Sequence, residues 1–330
     1  MNSSSIVSAI ELNRIQVNLG RYLLAPTYIL GNLGNSVNIA LFSQRNLRLN
    51  NISAWYFISL SLANMLVLNT GGLTRILSLL INFNLETTSI TFCKTRNYFI
   101  QVGAVIGRYF ICLISIERWI ATSINEKVRR LSSPQIARRL ILIGPCIIAL
   151  LIIHVPIGFQ ITNKRCYASL NEKYVLFFNI YNIMIITVPV IIMALFSILI
   201  FVNMRQSRRR VMPISSTKSN ITMTFLSTNE AYKPRNTQFI RLALIQVVSF
   251  ILFTIGYGIY NVYDFASSSI KKSSDRQVIE AFVSGVVVDF NYVSVAIPFF
   301  SYTLASIKFR KDCIATFRRY GTIIMRCFSQ

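Results

Sequence analysis

Seven separate apolar runs constrain the fold of this chain more than any other feature, because each is long enough to cross a lipid bilayer as a helix. A helix needs about 20 apolar residues to span the hydrocarbon core. The runs lie near residues 21–43, 53–81, 97–120, 136–161, 174–204, 239–265 and 277–304. Lipid offers no hydrogen-bond partners to the backbone, so each run can cross only as a helix. The sequence predicts an all-α membrane protein, a bundle of seven transmembrane helices over residues 21–305.

The composition agrees with a membrane protein. Of the 330 residues, 53% are hydrophobic and 14% are charged, and the mean hydropathy is +0.53. An average soluble domain has about 25% charged residues. The net charge of +23 raises the question of nucleic acid. The apolar background argues against it, and so does the placement of the charges.

The positive charges predict the orientation. With the N-terminus outside, 22 of the 34 lysines and arginines fall in segments on the cytoplasmic side. This is the bias that multi-pass membrane proteins show. The attraction of these residues to the anionic inner leaflet accounts for most of the basicity. We therefore predict a multi-pass plasma-membrane protein with its N-terminus outside, its C-terminus in the cytoplasm, and no nucleic-acid partner.

Two segments outside the spans carry predicted features. Residues 1–20 form a short extracellular tail with no evident cleavable signal peptide, and Asn2 begins a glycosylation sequon. Residues 205–238 form the third inner loop, which is basic and rich in Ser, Thr and Asn. This loop is either a solvated flexible segment or a partner-facing surface with phosphorylatable serines.

Residues 306–330 are predicted to form a short cytoplasmic amphipathic helix and a C-terminal tail. Four residues share one helical face, which suits a basic helix lying on the inner leaflet. They are Phe309, Cys313, Ile314 and Phe317. Cys313 or Cys327 is a candidate for S-acylation, and a plain free thiol is the alternative at each position.

The sequence offers no catalytic or cofactor chemistry. It has six cysteines without a Cys-x-x-Cys pair and a single histidine, His154, so a metal site is not expected. His154 is interpreted as an interior histidine rather than a ligand contact. No catalytic triad or phosphate-binding loop is present, and we predict neither an enzyme nor a cofactor.

The third apolar run carries polar landmarks at both ends. Cys93 precedes it, and Arg118 follows 25 residues later. As a helix this separation is roughly 37 Å, enough to cross a bilayer with some tilt. Cys93 is therefore predicted at one interface and Arg118 at the other, a layout typical of a signalling helix.

From about Tyr22 to Tyr320 the sequence resembles a divergent member of the rhodopsin-like (class A) G-protein-coupled receptors. The residues that carry the resemblance are Gly34-Asn35, Asn64, Cys93, Glu117-Arg118-Trp119, Pro156, Cys166, Pro189, and Tyr302 with Phe309. The resemblance implies a disulfide between Cys93 and Cys166. It implies that Asn35 and Asn64 are polar residues of the helix core.

The resemblance also assigns Glu117, Arg118, Trp119 and Tyr302 to activation and G-protein coupling. Arg118 would be released on activation and would contact the G protein. A charge at this depth is costly unless it is paired or solvated. The alternative is an arginine that merely extends to the membrane interface.

Several positions depart from the family pattern. Asn64 replaces an aspartate that helps to bind sodium, and Gly107 replaces a small polar residue, so sodium modulation is not expected. Gly256 stands where the sixth span usually has proline, and Pro298 lies one position early in the seventh. These departures indicate an altered activation switch.

Charges within the spans suggest where a ligand binds. Arg75 and Asp289 fall in the outer halves of spans 2 and 7. One interpretation is that they line a ligand pocket as an ion pair. The alternative is that the pair only stabilises the fold. Arg108 lies deeper, and the sequence predicts no partner for it. The predicted pocket also includes Ile100, Gln101, Tyr257 and Tyr260.

The pocket residues restrict the ligand class. Ile100 stands where biogenic-amine receptors have aspartate, and the seventh span has no lysine for a retinal Schiff base. Such a pocket is compatible with a peptide or an apolar odorant. We predict a receptor for an extracellular ligand, with a neuropeptide preferred, that activates a heterotrimeric G protein. The alternatives are a seven-span transporter or channel, and an intramembrane enzyme.

Overall fold

The structure, a computed structural model, describes residues 3–81, 83–162, 165–210, 223–268 and 270–328. Its helices, in chain order, are α1 (Ser3–Leu19), α2 (Ala25–Phe42), α3 (Arg45–Asn50), α4 (Ser53–Val67), α5 (Leu73–Ile81), α6 (Leu85–Thr88), α7 (Ile90–Thr122), α8 (Glu126–Arg129), α9 (Pro134–Leu151), α10 (His154–Gly158), α11 (Glu172–Arg210), α12 (Met223–Ala266), α13 (Ser274–Ala296), α14 (Pro298–Ala305) and α15 (Ile307–Phe328). Two π-helical turns, Gly20–Leu24 and Leu68–Gly72, join α1 to α2 and α4 to α5.

Six stretches within the described residues are long and apolar enough to cross a membrane. They are Ser53–Ile81, Ile90–Thr122, Pro134–Gly158, Glu172–Gln206, Gln238–Ala266 and Ser274–Ala296. Each coincides with one of the last six predicted spans. The predicted first span contains α2, an 18-residue helix that is not among the six.

Helix α7 is the centre of the bundle. The side chain of Ser89 caps its N-terminus by accepting a hydrogen bond from the backbone N–H of Phe92. The helix then runs for 33 residues and packs against α4, α9, α10, α11 and α12. Its length separates two hydrophobic clusters, one at each end.

The cluster near Arg118 is aromatic. Phe42 and Phe57 stack with ring centroids 4.9 Å apart, and Tyr302 meets Phe57 edge-on at 5.3 Å. Phe239 and Phe309 pack against Phe42. Aromatic side chains bury large apolar areas, so this cluster joins α2, α4, α12, α14 and α15 at one end of the bundle.

The predicted all-α fold omits one element, a β-hairpin. Strand β1 (Phe159–Thr162) pairs antiparallel with β2 (Arg165–Ala168), and Ile161 lies opposite Cys166. Strands of four residues leave almost no periodic pattern in a sequence. The hairpin packs on α7 through β1, and this tertiary contact is what the sequence did not show.

Helices also extend into segments predicted as tail and loop. Residues 3–19 form α1, which packs on α13, although the sequence predicted only a polar tail. Helix α11 continues to Arg210 and α12 begins at Met223, so both ends of the predicted loop 205–238 are helical. Asn2 and residues 211–222 lie outside the described residues.

Proline divides the last apolar run. Helix α13 ends at Ala296 and α14 begins at Pro298, so this proline lies in the first turn of α14. Proline lacks a backbone N–H and is tolerated at that position. Helix α15 follows, with Phe309 and Cys313 buried.

The face predicted for α15 is only partly correct. Ile314 is 53% exposed and does not share the buried side of Phe309 and Cys313. The angle between these positions is wide enough for Ile314 to point away from the bundle while the other two pack inward. The side chains of Phe317 and Cys327 lie outside the described part of the chain.

Candidate functional site

The two ends of α7 differ in chemistry, and we call them the disulfide end and the arginine end. At the disulfide end, Cys93 is bonded to Cys166 with their Cα atoms 5.8 Å apart. Cys166 belongs to β2, so the bond ties the hairpin to α7. The predicted disulfide is confirmed.

At the arginine end, Arg118 is buried and paired with its neighbour in the chain. Its Nη2 and Nε lie 2.5 Å and 2.6 Å from Oε2 of Glu117. The Ser53 hydroxyl also donates to Oε2, and the Ser132 hydroxyl donates to Oε1 at 3.1 Å. The ring of Phe239 lies 5.5 Å from the guanidinium carbon. In this arrangement the guanidinium is held inside the bundle.

Tyr302 and Trp119 contact different helices, α12 and α11. Tyr302 is buried, and its hydroxyl donates to Oε1 of Gln246 at 2.6 Å, which links α14 to α12. The ring of Trp119 packs on Phe196 of α11, with centroids 5.3 Å apart. Both partner helices, α11 and α12, also pack against α7.

Asn35 and Asn64 occupy the core of the bundle. Asn35 Nδ2 donates to the backbone oxygens of Gly31 at 2.8 Å and Val295 at 3.1 Å. Asn64 Nδ2 lies 3.3 Å from Asn35 Oδ1. These bonds connect α2, α4 and α13 through neutral side chains.

Arg75 and Asp289 form an ion pair between α5 and α13. Arg75 Nη2 also donates to the backbone oxygen of Gly285 at 3.0 Å. The Asp289 side chain is 1% exposed and the Arg75 side chain 21%. A carboxylate buried to this degree depends on its partner for solvation.

A second ion pair lies at the disulfide end and was not predicted. Arg96 of α7 is 2.5 Å from a carboxylate oxygen of Glu86, and its Nε donates to the Thr74 hydroxyl at 2.6 Å. Thr74 precedes Arg75. The Arg75–Asp289 pair is therefore close to the disulfide end.

A third charged group joins α12 to α13. Glu280 accepts hydrogen bonds from Lys272 at 2.7 Å, from Arg276 at 2.9 Å and from the Tyr263 hydroxyl at 2.7 Å. The hydrogen bond that Lys272 donates to the Glu280 carboxylate raises the pKa of Lys272 above its ordinary value. The sequence held no periodic signal for this network, because its members come from two helices and the connection between them.

The six predicted pocket residues lie on four helices, α5, α7, α12 and α13. Gln101 Nε2 is 3.4 Å from Oδ1 of Asn182, and the Tyr260 hydroxyl donates to the backbone oxygen of Glu280 at 3.2 Å. Ile100, Gln101 and Tyr257 are half-buried. That the six residues line one ligand pocket stays a prediction.

Two cavities lie near the predicted pocket. One, of about 280 Å³, is formed at the disulfide end by α1, α13 and the hairpin, and its lining includes Asn13, Gln16, Arg165 and Gln277. The other, of about 470 Å³, lies between α11 and α12. Its lining includes Ile255, Ile259 and Val262, whose side chains are exposed by half or more. This cavity therefore opens on the outer surface of the bundle.

Two polar side chains in the spans have nitrogen atoms without a hydrogen-bond partner among the described residues. His154 Nδ1 lies 3.0 Å from the Tyr174 hydroxyl, while its Nε2 is buried without a hydrogen-bond partner among the described residues. Arg108 is 5% exposed, and its Nε and Nη1 have no partner in that part of the chain. No group of His, Cys, Asp or Glu within the described residues is arranged to hold a metal ion.

Comparison with protein families finds a match to the 7 transmembrane receptor (rhodopsin family) over residues 34–305. The match begins at Gly34, in α2, and ends at Ala305, the last residue of α14. It therefore includes the disulfide, the Glu117–Arg118 pair and the Arg75–Asp289 pair. Comparison with curated proteins finds no significant match.

Proposed function

Because the chain belongs to the rhodopsin family of seven-transmembrane receptors, we propose that it binds an extracellular ligand and activates a heterotrimeric G protein. The observation that carries this proposal is the chemistry of the two ends of α7. One end is bonded to the hairpin, and the other holds an arginine against an adjacent carboxylate. One rigid element thus connects a surface that a ligand reaches with a charge that a partner can use.

The proposal includes a topology. The disulfide end faces outside, where the compartment is oxidising, and the arginine end faces the cytoplasm, where basic residues concentrate. The first crossing of the chain consists of α2 and the π-helical turn before it, and it brings the number of crossings to seven. Helix α15 lies against the inner leaflet in the plasma membrane.

Activation then consists of releasing Arg118 from Glu117. In the arrangement described above, the guanidinium is buried and its charge is neutralised. A ligand that binds more tightly to an open arrangement shifts the population toward it. The ring of Phe239 of α12 now lies over the Arg118 guanidinium. Separation of α11 and α12 from α7 would remove this ring and expose Arg118 to the G protein.

For the ligand we propose a peptide. The disulfide end presents three charged groups, centred on Asp289, Glu86 and Glu280, beside a polar cavity of about 280 Å³. Ile100 offers no counter-ion for an amine. Charged and polar groups around a groove suit the backbone and termini of a peptide better than an apolar odorant.

The test is a screen of secreted peptides on cells that express the protein with a surface tag. G-protein dissociation is the readout, and Arg118→Gln at matched surface level is the control. We expect at least one peptide to act through the wild type and to fail with the variant. A peptide response that persists in the variant, or solute flux or current that needs no G protein, would contradict the proposal and favour a transporter or channel.

A further inference from the structure

Arg108 is a buried cation in the middle of the bundle, and no described residue provides its counter-charge. It lies 15 residues after Cys93 and 10 before Arg118 on α7, far from either end. The arginine side chain stays protonated in proteins. An unpaired charge at this depth carries a large desolvation cost, so its neutralisation requires a partner.

The described residues do not supply that partner. Glu117 is bonded to Arg118, and Asp289 is bonded to Arg75. Two titratable side chains interact with Arg108, Tyr257 and Tyr181, and both are phenols that carry no charge at neutral pH. Within the part of the chain described here, Nε and Nη1 of Arg108 accordingly have no hydrogen-bond acceptor.

Arg108 lines a small cavity between α4, α7, α12 and α13. The polar side chains around it are neutral, namely Asn64, Gln246, Asn291 and Ser294. Gln246 already accepts a bond from Tyr302 through Oε1, which leaves its amide N–H groups to donate. The Ser294 hydroxyl donates to the backbone oxygen of Asn291. One cation and the side-chain amides of Asn64, Gln246 and Asn291, with no carboxylate among the described lining residues, form a site suited to an anion.

The size of the cavity limits the occupant. Its volume is about 20 Å³, and a site of about 10–15 Å³ holds one water molecule. A single small ion therefore fits with slight adjustment of the walls. Water alone would satisfy hydrogen bonds but would leave the charge of Arg108 uncompensated.

Gly107 keeps this space open. A Cβ atom built there lies 3.7 Å from Oδ1 of Asn64 and 3.9 Å from Cδ1 of Leu60, which is ordinary contact distance. A methyl group is thus tolerated by the neighbours but takes up room beside Arg108. This position offers a way to block the cavity without changing the charge.

We propose that Arg108 binds one small monovalent anion, of the size of chloride, in the cavity between α4, α7, α12 and α13. The anion contacts four helices at once and stabilises the arrangement in which they surround it. The site stands independently of the proposed signalling function. Its occupant is either a free halide or the carboxylate of a small acid, and the experiment separates these sources.

The test measures the thermal unfolding of the purified full chain in zwitterionic nanodiscs at constant sodium and ionic strength. Chloride, formate and gluconate are compared, since gluconate is too large for the cavity. At about a hundred times its dissociation constant, a bound anion should raise the unfolding temperature by roughly 3–5 °C over gluconate. Stabilisation by chloride alone assigns a halide, and stabilisation by formate alone assigns a carboxylate.

Three variants complete the design. Arg108→Gln and Gly107→Ala should each abolish the anion-dependent shift, the first by removing the charge and the second by filling the space. Arg130→Gln removes a cation whose side chain is 78% exposed and should retain the shift. If Arg108→Gln does not fold, Gly107→Ala decides the matter. Equal unfolding temperatures in all three salts, or a shift that persists in Gly107→Ala, would overturn the proposal.

Discussion

The guanidinium of Arg75 and the carboxylate of Asp289 form an ion pair between α5 and α13 that is buried on one side only. The aspartate side chain is 1% exposed and the arginine side chain 21%. One oxygen of the aspartate has no hydrogen-bond partner among the described residues. The buried carboxylate of Asp289 therefore depends more on Arg75 for its solvation than Arg75 depends on Asp289.

This asymmetry predicts different costs for the two single substitutions. Arg75→Gln leaves a buried carboxylate without its cation and should destabilise by about 3–5 kcal/mol. Asp289→Asn leaves an arginine that can reach solvent and should cost about 1–3 kcal/mol. Thermal unfolding of the purified variants measures the difference.

The reciprocal exchange Arg75→Asp with Asp289→Arg separates architecture from ligand binding. Recovery of both stability and ligand response would mean that pairing is the role of these residues. Normal surface expression with a lost response would mean that one side chain contacts the ligand. Equal unfolding temperatures for the two single variants would contradict the unequal burial.

The disulfide predicts a pattern of non-additive losses. Cys93→Ser, Cys166→Ser and the double variant remove the same bond, which closes a separation of 73 residues. They should therefore lose similar stability, and the chain-entropy relation gives about 4 kcal/mol for a loop of this length. Thermal unfolding by tryptophan fluorescence provides the measurement.

Cys146 provides the matched control for the disulfide. It is an exposed free cysteine on α9, so Cys146→Ser should unfold at the wild-type temperature. A double variant that loses the sum of the two single losses would show that the cysteines contribute separately. That result would be inconsistent with a bond between them.

Burial of Cys313 predicts that this thiol is a poor acylation site. Its side chain packs inward from α15, and burial raises its pKa. The thiolate is the nucleophile in S-acylation, so a raised pKa lowers the reactive fraction at neutral pH. Mass-resolved acyl exchange on protein from cells should find Cys313 unmodified, and Cys313→Ser should leave the total acylation unchanged.

Cys327→Ser is the companion to that measurement, because Cys327 is the other candidate on the same helix. Acyl groups that disappear with Cys327→Ser would place the modification beyond the buried part of α15. Acylation found on Cys313 itself would contradict the packing of this helix.

The apolar runs predicted six of the spans, because bilayer thickness imposes a length that a sequence shows directly. The Cys93–Cys166 bond followed from the resemblance together with the predicted topology. The Glu117–Arg118 contact lies between adjacent residues, so local sequence already placed the two charges together. These features depend on chain position more than on packing.

The remaining features depend on contacts between distant segments. The hairpin consists of strands too short for a periodic signal. Helix α1 packs on α13, from which most of the sequence separates it. The network of Lys272, Arg276 and Glu280 needs the relative rotation of α12 and α13. The ligand pocket stays a prediction, because span membership does not fix which way each side chain points.

Arg108 shows the same distinction at one residue. The sequence placed a charge in the third span, and no nearby residue in the chain could be named as its partner. Only the arrangement of four helices shows a cavity beside it, lined by neutral polar groups. The signal in the sequence was the unpaired charge itself.

The central claim is that Arg118, held by Glu117, becomes available to a G protein when that hold is released. Glu117→Gln removes the negative charge, and Glu117→Gln with Arg118→Gln removes both charges. The measurement is nucleotide exchange on a panel of purified heterotrimeric G proteins, with each variant in lipid nanodiscs and no ligand. We expect the single variant to exceed both the wild type and the double variant several-fold with at least one G protein. Equal exchange by all three proteins across the whole panel would contradict the account.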